Sequence, residues 1–151
     1  MKTHHPCPRV PILLRVVIAD AGISINDSLT ALLSEFEGVS VLGCVQESAK
    51  ILTLVRTTRP DVVLLDLQSP CADALATLRH LKRLPRAPFV VVLSNDDFSP
   101  LRQAAAAAGA DAFLLKATEC GRIEAILRAR LGAPRPPTRL ARAPVRRRHA
   151  A

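Results

Sequence analysis

The sequence predicts an α/β protein: a doubly wound, five-stranded parallel sheet with helices on both faces. Three observations carry this. Apolar runs and helical stripes alternate strictly, five of each. The runs begin near Arg15, Val39, Val62, Phe89 and Ala112, at spacings of 24, 23, 27 and 23 residues, the length of a strand, a helix and two short loops. Four of the runs are RVVIAD (15–20), DVVLLD (61–66), FVVVLS (89–94) and AFLLK (112–116). They are continuously apolar, as in strands buried on both faces.

The helices follow from spacing and punctuation. Ile25, Leu29, Leu32, Leu33 and Phe36 recur at helical spacing, and Gly38 supplies a stop. Ser48, Ile51, Leu52 and Val55 form a second stripe, closed by Pro60. Leu75, Leu78 and Leu81 form a third, ending before Pro85. Ser99-Pro100 reads as an N-cap followed by proline at the first helical position, opening an alanine-rich helix that runs to Gly109. Ile123, Ile126, Leu127 and Leu131 give the last helix one apolar face.

Four of the runs end in a polar residue: Asp20, Asp66, Ser94 and Lys116. In open parallel sheets, ligands bind outside the carboxyl ends of the strands. Two carboxylates, a hydroxyl and an ammonium gathered there suit a divalent cation and a phosphoryl group.

At 151 residues, 49% hydrophobic and 3% aromatic, the chain fits one domain with an aliphatic core. The net charge of +8 sits at the ends of the chain. Residues 12–131 hold 13 Lys and Arg against 13 Asp and Glu; Lys2 and Arg9 precede them, and Arg135, Arg139, Arg142, Arg146, Arg147 and Arg148 follow. The basicity therefore reads as belonging to tails rather than to a folded face. Residues 1–11 and 132–151, rich in proline and poor in groups to bury, are expected to be disordered or extended, which leaves 12–131 as the folded domain.

Cys7, Cys44, Cys71 and Cys120 form no CxxC pair. They read as reduced thiols of a cytoplasmic protein, three of them in or beside core elements as small hydrophobes. His4, His5 and Cys7 lack a fourth ligand and read as adventitious metal binders. Arg15 and Asp20 break the one stretch with a leader-like look, and no apolar run reaches the ~20 residues of a membrane span. No second nucleophile–base pair and no phosphate-cradling glycine loop is present, which argues against catalysis on a small molecule.

VIAD (17–20), PDVVLLDLQSP (60–70) and AGADAFLLK (108–116) stand in this order, each at a strand end. Over residues 15–131 the chain resembles the receiver domain of two-component response regulators. The wording is closest to the subfamily that adds a helix-turn-helix output domain, although no output domain is expected here. The resemblance implies the flavodoxin-like strand order 2-1-3-4-5, which sets Asp20 beside Asp66. It implies that Asp66 accepts a phosphoryl group from a histidine kinase or phosphotransfer protein. Mg²⁺ would be held by Asp20, Asp66 and the carbonyl of Gln68. Lys116 would hold a phosphoryl oxygen, Ser94 would bond another and move toward it, and Phe113 matches an aromatic switch position.

The chain departs from the pattern in places. Two adjacent acids usually follow the first strand, but here the pair reads Asp20-Ala21, which implies a weakened metal site. Asn95 stands where a small residue is usual, and Cys71 and Ala74 replace glycine-like positions. Plainer roles stay open: Asp66 as a cap, Lys116 as a solvated strand exit, Ser94 as a loop hydroxyl, Phe113 as core filler. Asp27 and Asp73 read as caps of helix starts, and Asp96 and Asp97 as loop residues at the mouth of the site.

The function expected from all this is a stand-alone receiver in a phosphorelay, not an enzyme. It would bind a downstream protein under the control of phosphorylation, with no membrane partner. Two alternatives remain. One is a degenerate receiver that binds partners without phosphorylation. The other is a nucleic-acid-binding module acting through Arg135 to Arg148, although that tail lacks an aromatic residue to stack on a base and reads first as solubilising.

Overall fold

Each of the five apolar runs is a strand and each helical stripe a helix. In chain order they are β1 (Leu14–Ala19), α1 (Ile23–Ser34), β2 (Val39–Val45), α2 (Ser48–Thr58), β3 (Val62–Asp66), α3 (Ala74–Lys82), β4 (Phe89–Ser94), α4 (Ser99–Ala107), β5 (Ala112–Leu115) and α5 (Gly121–Leu131). The computed structural model describes residues 13–19, 23–67 and 74–132. The expected disordered ends, apart from Gly132, and Cys7 lie outside these residues.

The sheet is parallel throughout, in the order β2-β1-β3-β4-β5. Strand residues alternate between two apolar layers, as the pleat requires. Val16, Ile18, Leu64, Leu93 and Leu114 meet Leu29 and Leu33 of α1 and Ile123 and Leu127 of α5. Val17, Val63, Leu65, Val90 and Val92 meet Ile51 and Val55 of α2, Leu78 and Leu81 of α3, and Ala105 of α4. β3 is buried along its whole length, so each of its aliphatic side chains contributes roughly 1.5–3 kcal/mol of burial.

Two carboxylates tie down the amino edge of the sheet. Asp61 Oδ2 accepts the Arg15 N–H at 2.9 Å. Asp111 Oδ2 accepts both the Val90 N–H at 2.8 Å and Lys82 Nζ at 2.7 Å. Gly109, at φ 103°, ends the α4 turn; a Cβ there would lie 3.0 Å from Lys82 Cγ, so backbone conformation and close approach both require glycine.

Two local expectations need correction. Ser99 is not the N-cap of α4. The chain turns one residue earlier, and the Phe98 carbonyl accepts the N–H groups of Leu101 and Arg102 at 2.9 and 3.1 Å, so Ser99 lies inside the first turn beside Pro100. Cys44 is not core: β2 is an edge strand and exposes it, with its Sγ 3.4 Å from Thr30 Oγ1. Among the described residues no helix is long and apolar enough to cross a membrane.

Leu64 is fully buried at the centre of the sheet, whereas Phe98 is 62% exposed. Leu64→Ala is expected to lower the free energy of unfolding by about 3 kcal/mol. Phe98→Ala is expected to change it by less than about 0.5 kcal/mol. Urea titrations of the two variants check both.

Candidate functional site

β3, β4 and β5 end side by side, and each delivers one polar side chain. Asp66 closes β3 at 5% exposure and Ser94 closes β4 fully buried. Lys116 follows the last residue of β5, and its N–H donates to the Ser94 carbonyl at 2.9 Å. The three loci are thus fixed by the sheet itself. Lys116 Nζ lies 3.0 Å from Asp66 Oδ2, with the two side chains only 7% and 6% exposed. A carboxylate and an ammonium buried this deeply attract strongly, but removing both from water offsets much of the gain. Such a pair contributes little net stability for the strength of its attraction.

The Ser94 hydroxyl is engaged with its own loop. It donates to the Asp96 carbonyl and accepts the Asp96 N–H, both at 3.1 Å. One residue further on, Asp97 Oδ1 accepts Arg102 Nη2 at 2.9 Å. The same guanidinium lies over the Phe113 ring, its Cζ 4.6 Å from the ring centroid. This is cation–π geometry. A chain of direct contacts therefore runs from Ser94 through the β4–α4 loop to Phe113, which is half-buried against the α2–α3–α4 layer.

The turn carrying Lys116 has two further fasteners, Glu119 and Cys120, which the residues alone do not single out. Glu119 Oε2 accepts the Leu115 N–H at 2.9 Å, and its own N–H donates to the Leu115 carbonyl at 2.8 Å. Cys120 Sγ donates to the Lys116 carbonyl at 2.9 Å. The available signal was an acid placed just before a helix and just after an edge strand, whose last N–H has no ladder partner on its outer side. The Leu115 N–H, assisted by Arg122 and opposed by desolvation, holds the Glu119 carboxyl below its usual 4.5. Burial raises the Cys120 thiol above its usual 9.0, against the pull of Lys116.

The structure thus brings together Asp66, Ser94 and Lys116, with Phe113 linked through Arg102. Asp20 and Gln68, expected at the metal site, lie outside the described residues, as do Ala21, Cys71, Asp73 and the side chain of Asp27. β1 does end beside this edge, since Ala19 pairs with Leu65. Among the described residues no group of three His, Cys, Asp or Glu side chains could hold a metal. The hard oxygen donor supplied by Asp66 fits a cation such as Mg²⁺, and the remaining protein donors would have to come from Asp20 and the Gln68 carbonyl. Ala74 is buried at the start of α3, so a side chain is accommodated there in place of glycine.

The family model described as the response regulator receiver domain matches residues 16–128. The chain is 34% identical over 108 residues to a protein-glutamate methylesterase/protein-glutamine glutaminase of Desulfotalea psychrophila, which covers 70% of this chain and 30% of that protein. It is 37% identical over 106 residues to a protein of the same description from Myxococcus xanthus, again 70% of this chain and 30% of that protein. The chain thus spans less than a third of the length of these curated relatives. Among solved structures, the signal receiver domain of the putative response regulator NarL from Mycobacterium tuberculosis superposes with a TM-score of 0.73 at 27% identity, covering 82% of this chain and all of that one. The response regulator domain of Thermotoga maritima CheB gives 0.72 at 15% identity over 81% and 98% of the two chains, a likeness of fold.

Because the Glu119 carboxyl sits below its ordinary value in the folded state, its contribution to stability is complete above 4.5 and is lost as pH falls through the folded value. Glu119→Gln is expected to flatten the stability–pH curve in that acidic window and to leave its shape at neutral pH unchanged. Urea unfolding across the pH range checks this.

Proposed function

The chain belongs to the response regulator receiver domain family, and from that premise we propose that Asp66 is its phosphoryl acceptor, charged by a histidine kinase or a phosphotransfer protein. The observation that carries the reading is the buried Asp66–Lys116 pair at 3.0 Å, with the fully buried Ser94 at the adjacent strand end. A carboxylate oxygen of Asp66 attacks phosphorus. The bond from phosphorus to the donor's imidazole nitrogen breaks, that nitrogen keeps the electron pair, and an acyl phosphate forms on Asp66.

Each residue then has a defined task. Lys116 is already aimed at the carboxylate and places its ammonium where an oxygen of the arriving group collects charge. Asp20, Asp66 and the carbonyl of Gln68 would hold Mg²⁺, which when bound neutralises charge on the phosphoryl oxygens. Ser94 can donate its hydroxyl to a phosphoryl oxygen only by releasing the Asp96 carbonyl. That exchange pulls on the loop holding Asp97 and Phe98, and through Arg102 on Phe113. Phosphorylation is thereby converted into a change of the surface around α4 and β5, which a downstream protein reads. Since the relatives are longer than this chain, the activity governed in any longer protein is part of the same proposal.

Ala21 favours a second reading. With one acid fewer beside Asp20, the metal site is weakened, and a receiver that binds its partner without phosphorylation fits that loss.

Intact mass after incubation with acetyl phosphate and Mg²⁺ separates the readings. The first expects one phosphoryl increment that depends on metal and is absent from Asp66→Ala. No increment in the wild-type chain, with an increment restored in Ala21→Asp, establishes the second. Lys116→Ala removes a charge-assisted hydrogen bond of about 1.5–3 kcal/mol and is expected to slow phosphorylation roughly 10- to 100-fold, followed by the same mass measurement over time.

A further inference from the structure

The charge balance of residues 12–131 conceals an uneven arrangement that the fold creates. α2 and α3 lie side by side and both run toward the amino edge of the sheet, the end opposite Asp66 and Lys116. Arg56 and Arg79 sit in the last turns of these helices, and Arg59 and Arg83 lie just past them. All four are exposed. Arg15 and Arg86 join them at the same edge: Arg15 Nη1 donates to the Arg59 carbonyl at 3.5 Å, and Arg86 lies 3.7 Å from Asp61. At this edge Asp61 and Asp111 are already bound to the sheet backbone, with Asp111 also taken by Lys82; the exposed Glu35 and Glu37 lie in the α1–β2 connection, whose Phe36 packs into the opposite layer with α1 and α5. Among the described residues Arg56, Arg59, Arg79 and Arg83 have no ion pair.

Helix C-termini attract cations, and Arg56 and Arg79 satisfy that attraction by themselves. Arg59 and Arg83 exceed it. Arg59 moreover is the only described residue other than glycine with positive φ, at 49°, a conformation that costs a side-chain-bearing residue about 1 kcal/mol and in which glycine is usual after a helix. An exposed arginine is thus held at a strained position that needs no arginine for the fold.

We propose that this face, formed by the carboxyl ends of α2 and α3, binds the phosphate backbone of duplex DNA. The cations are arginines, whose planar forks match phosphate oxygens two at a time. Among the described residues the exposed large apolar side chains are Leu13, Phe98 and Leu131; Leu13 and Leu131 reach the amino edge at β1 and α5, and none lies on α2 or α3, so the α2–α3 face itself lacks the apolar centre of a protein interface and the wedge of a membrane-inserting surface. α2 and α3 carry no Phe, Tyr or Trp, and their one imidazole is the exposed His80 beside Arg79; contacts from arginine to phosphate are sequence-independent. α5 also ends at this edge; the six arginines that follow it in the sequence lie outside the described residues. The reading is independent of phosphorylation at Asp66.

Fluorescence anisotropy of a labelled DNA duplex, titrated with the full chain at several salt concentrations, tests the proposal. Arg56→Glu, Arg79→Glu and Arg83→Glu combined are expected to weaken binding at least about tenfold and to reduce the salt slope by about 2.7, near 0.9 for each phosphate that is no longer neutralised. Lys50→Glu, Arg122→Glu, Gln46→Glu and Gln103→Glu combined lower the net charge equally at exposed positions away from this edge and are expected to retain most of the slope. A full-length chain with the six arginines after α5 changed to alanine is expected to keep the part of the slope that the first triple variant removes. Circular dichroism melts of each variant establish that it is folded. The proposal is overturned by absent binding of the wild-type chain, by equal losses in the arginine variant and the charge-matched control, or by complete loss in the alanine variant. It is also overturned if acidic lipid vesicles or polyglutamate are bound more tightly than duplex through the same three arginines.

Discussion

The ion pair between Asp66 and Lys116 is the constraint around which this molecule is arranged. Two opposite charges, each less than a tenth exposed, persist together only if their backbones are held so that attraction compensates for lost hydration. The sheet provides that rigidity. β3, β4 and β5 lie in continuous parallel register, the Lys116 amide is bound to the Ser94 carbonyl, and the turn beyond it is closed by Glu119 and Cys120. An aliphatic core of this thickness excludes water from below the pair.

The site is thus prepared electrostatically before any ligand arrives, while its hydroxyl is not. Lys116 already faces the Asp66 carboxylate. Ser94 is bonded at both its donor and acceptor capacities to the Asp96 peptide, so any use of that hydroxyl exchanges one set of hydrogen bonds for another. The net cost is small, because hydrogen bonds are exchanged and none is left unmade. The Asp97–Arg102–Phe113 contacts link the β4–α4 loop to an outer surface.

The two edges of the sheet have come to differ in character. The carboxyl edge holds the buried pair and the acidic β4–α4 loop. The amino edge is tied by Asp61 and Asp111 and, where α2 and α3 end, carries exposed arginines, with Glu35 and Glu37 exposed in the α1–β2 connection. A parallel sheet makes such a division easy, since every helix returns the chain to the same edge and every strand leads it away. Residues far apart in sequence but equivalent in the repeat, such as Arg59 and Arg83, thereby gather at one end.

Much of this was legible in the residues alone. Continuous Val/Leu runs at near-constant spacing determined the parallel sheet and its two apolar layers, because burial on both faces leaves no other pattern. Asp66, Ser94 and Lys116 were identifiable because a polar residue closing a buried strand has only the strand end to occupy. Glu119 and Cys120 were not, since their role is to satisfy a particular amide and a particular carbonyl, and those become identifiable only when the edge strand and the following turn are in place. Nor could sequence decide that β2 leaves Cys44 exposed, that the Ser94 hydroxyl is already spoken for, or that Arg102 covers Phe113. Composition likewise indicated a neutral body, because a sum over residues discards position. Whether like charges disperse or converge depends on which helix ends the fold sets side by side, and that is decided only by tertiary structure.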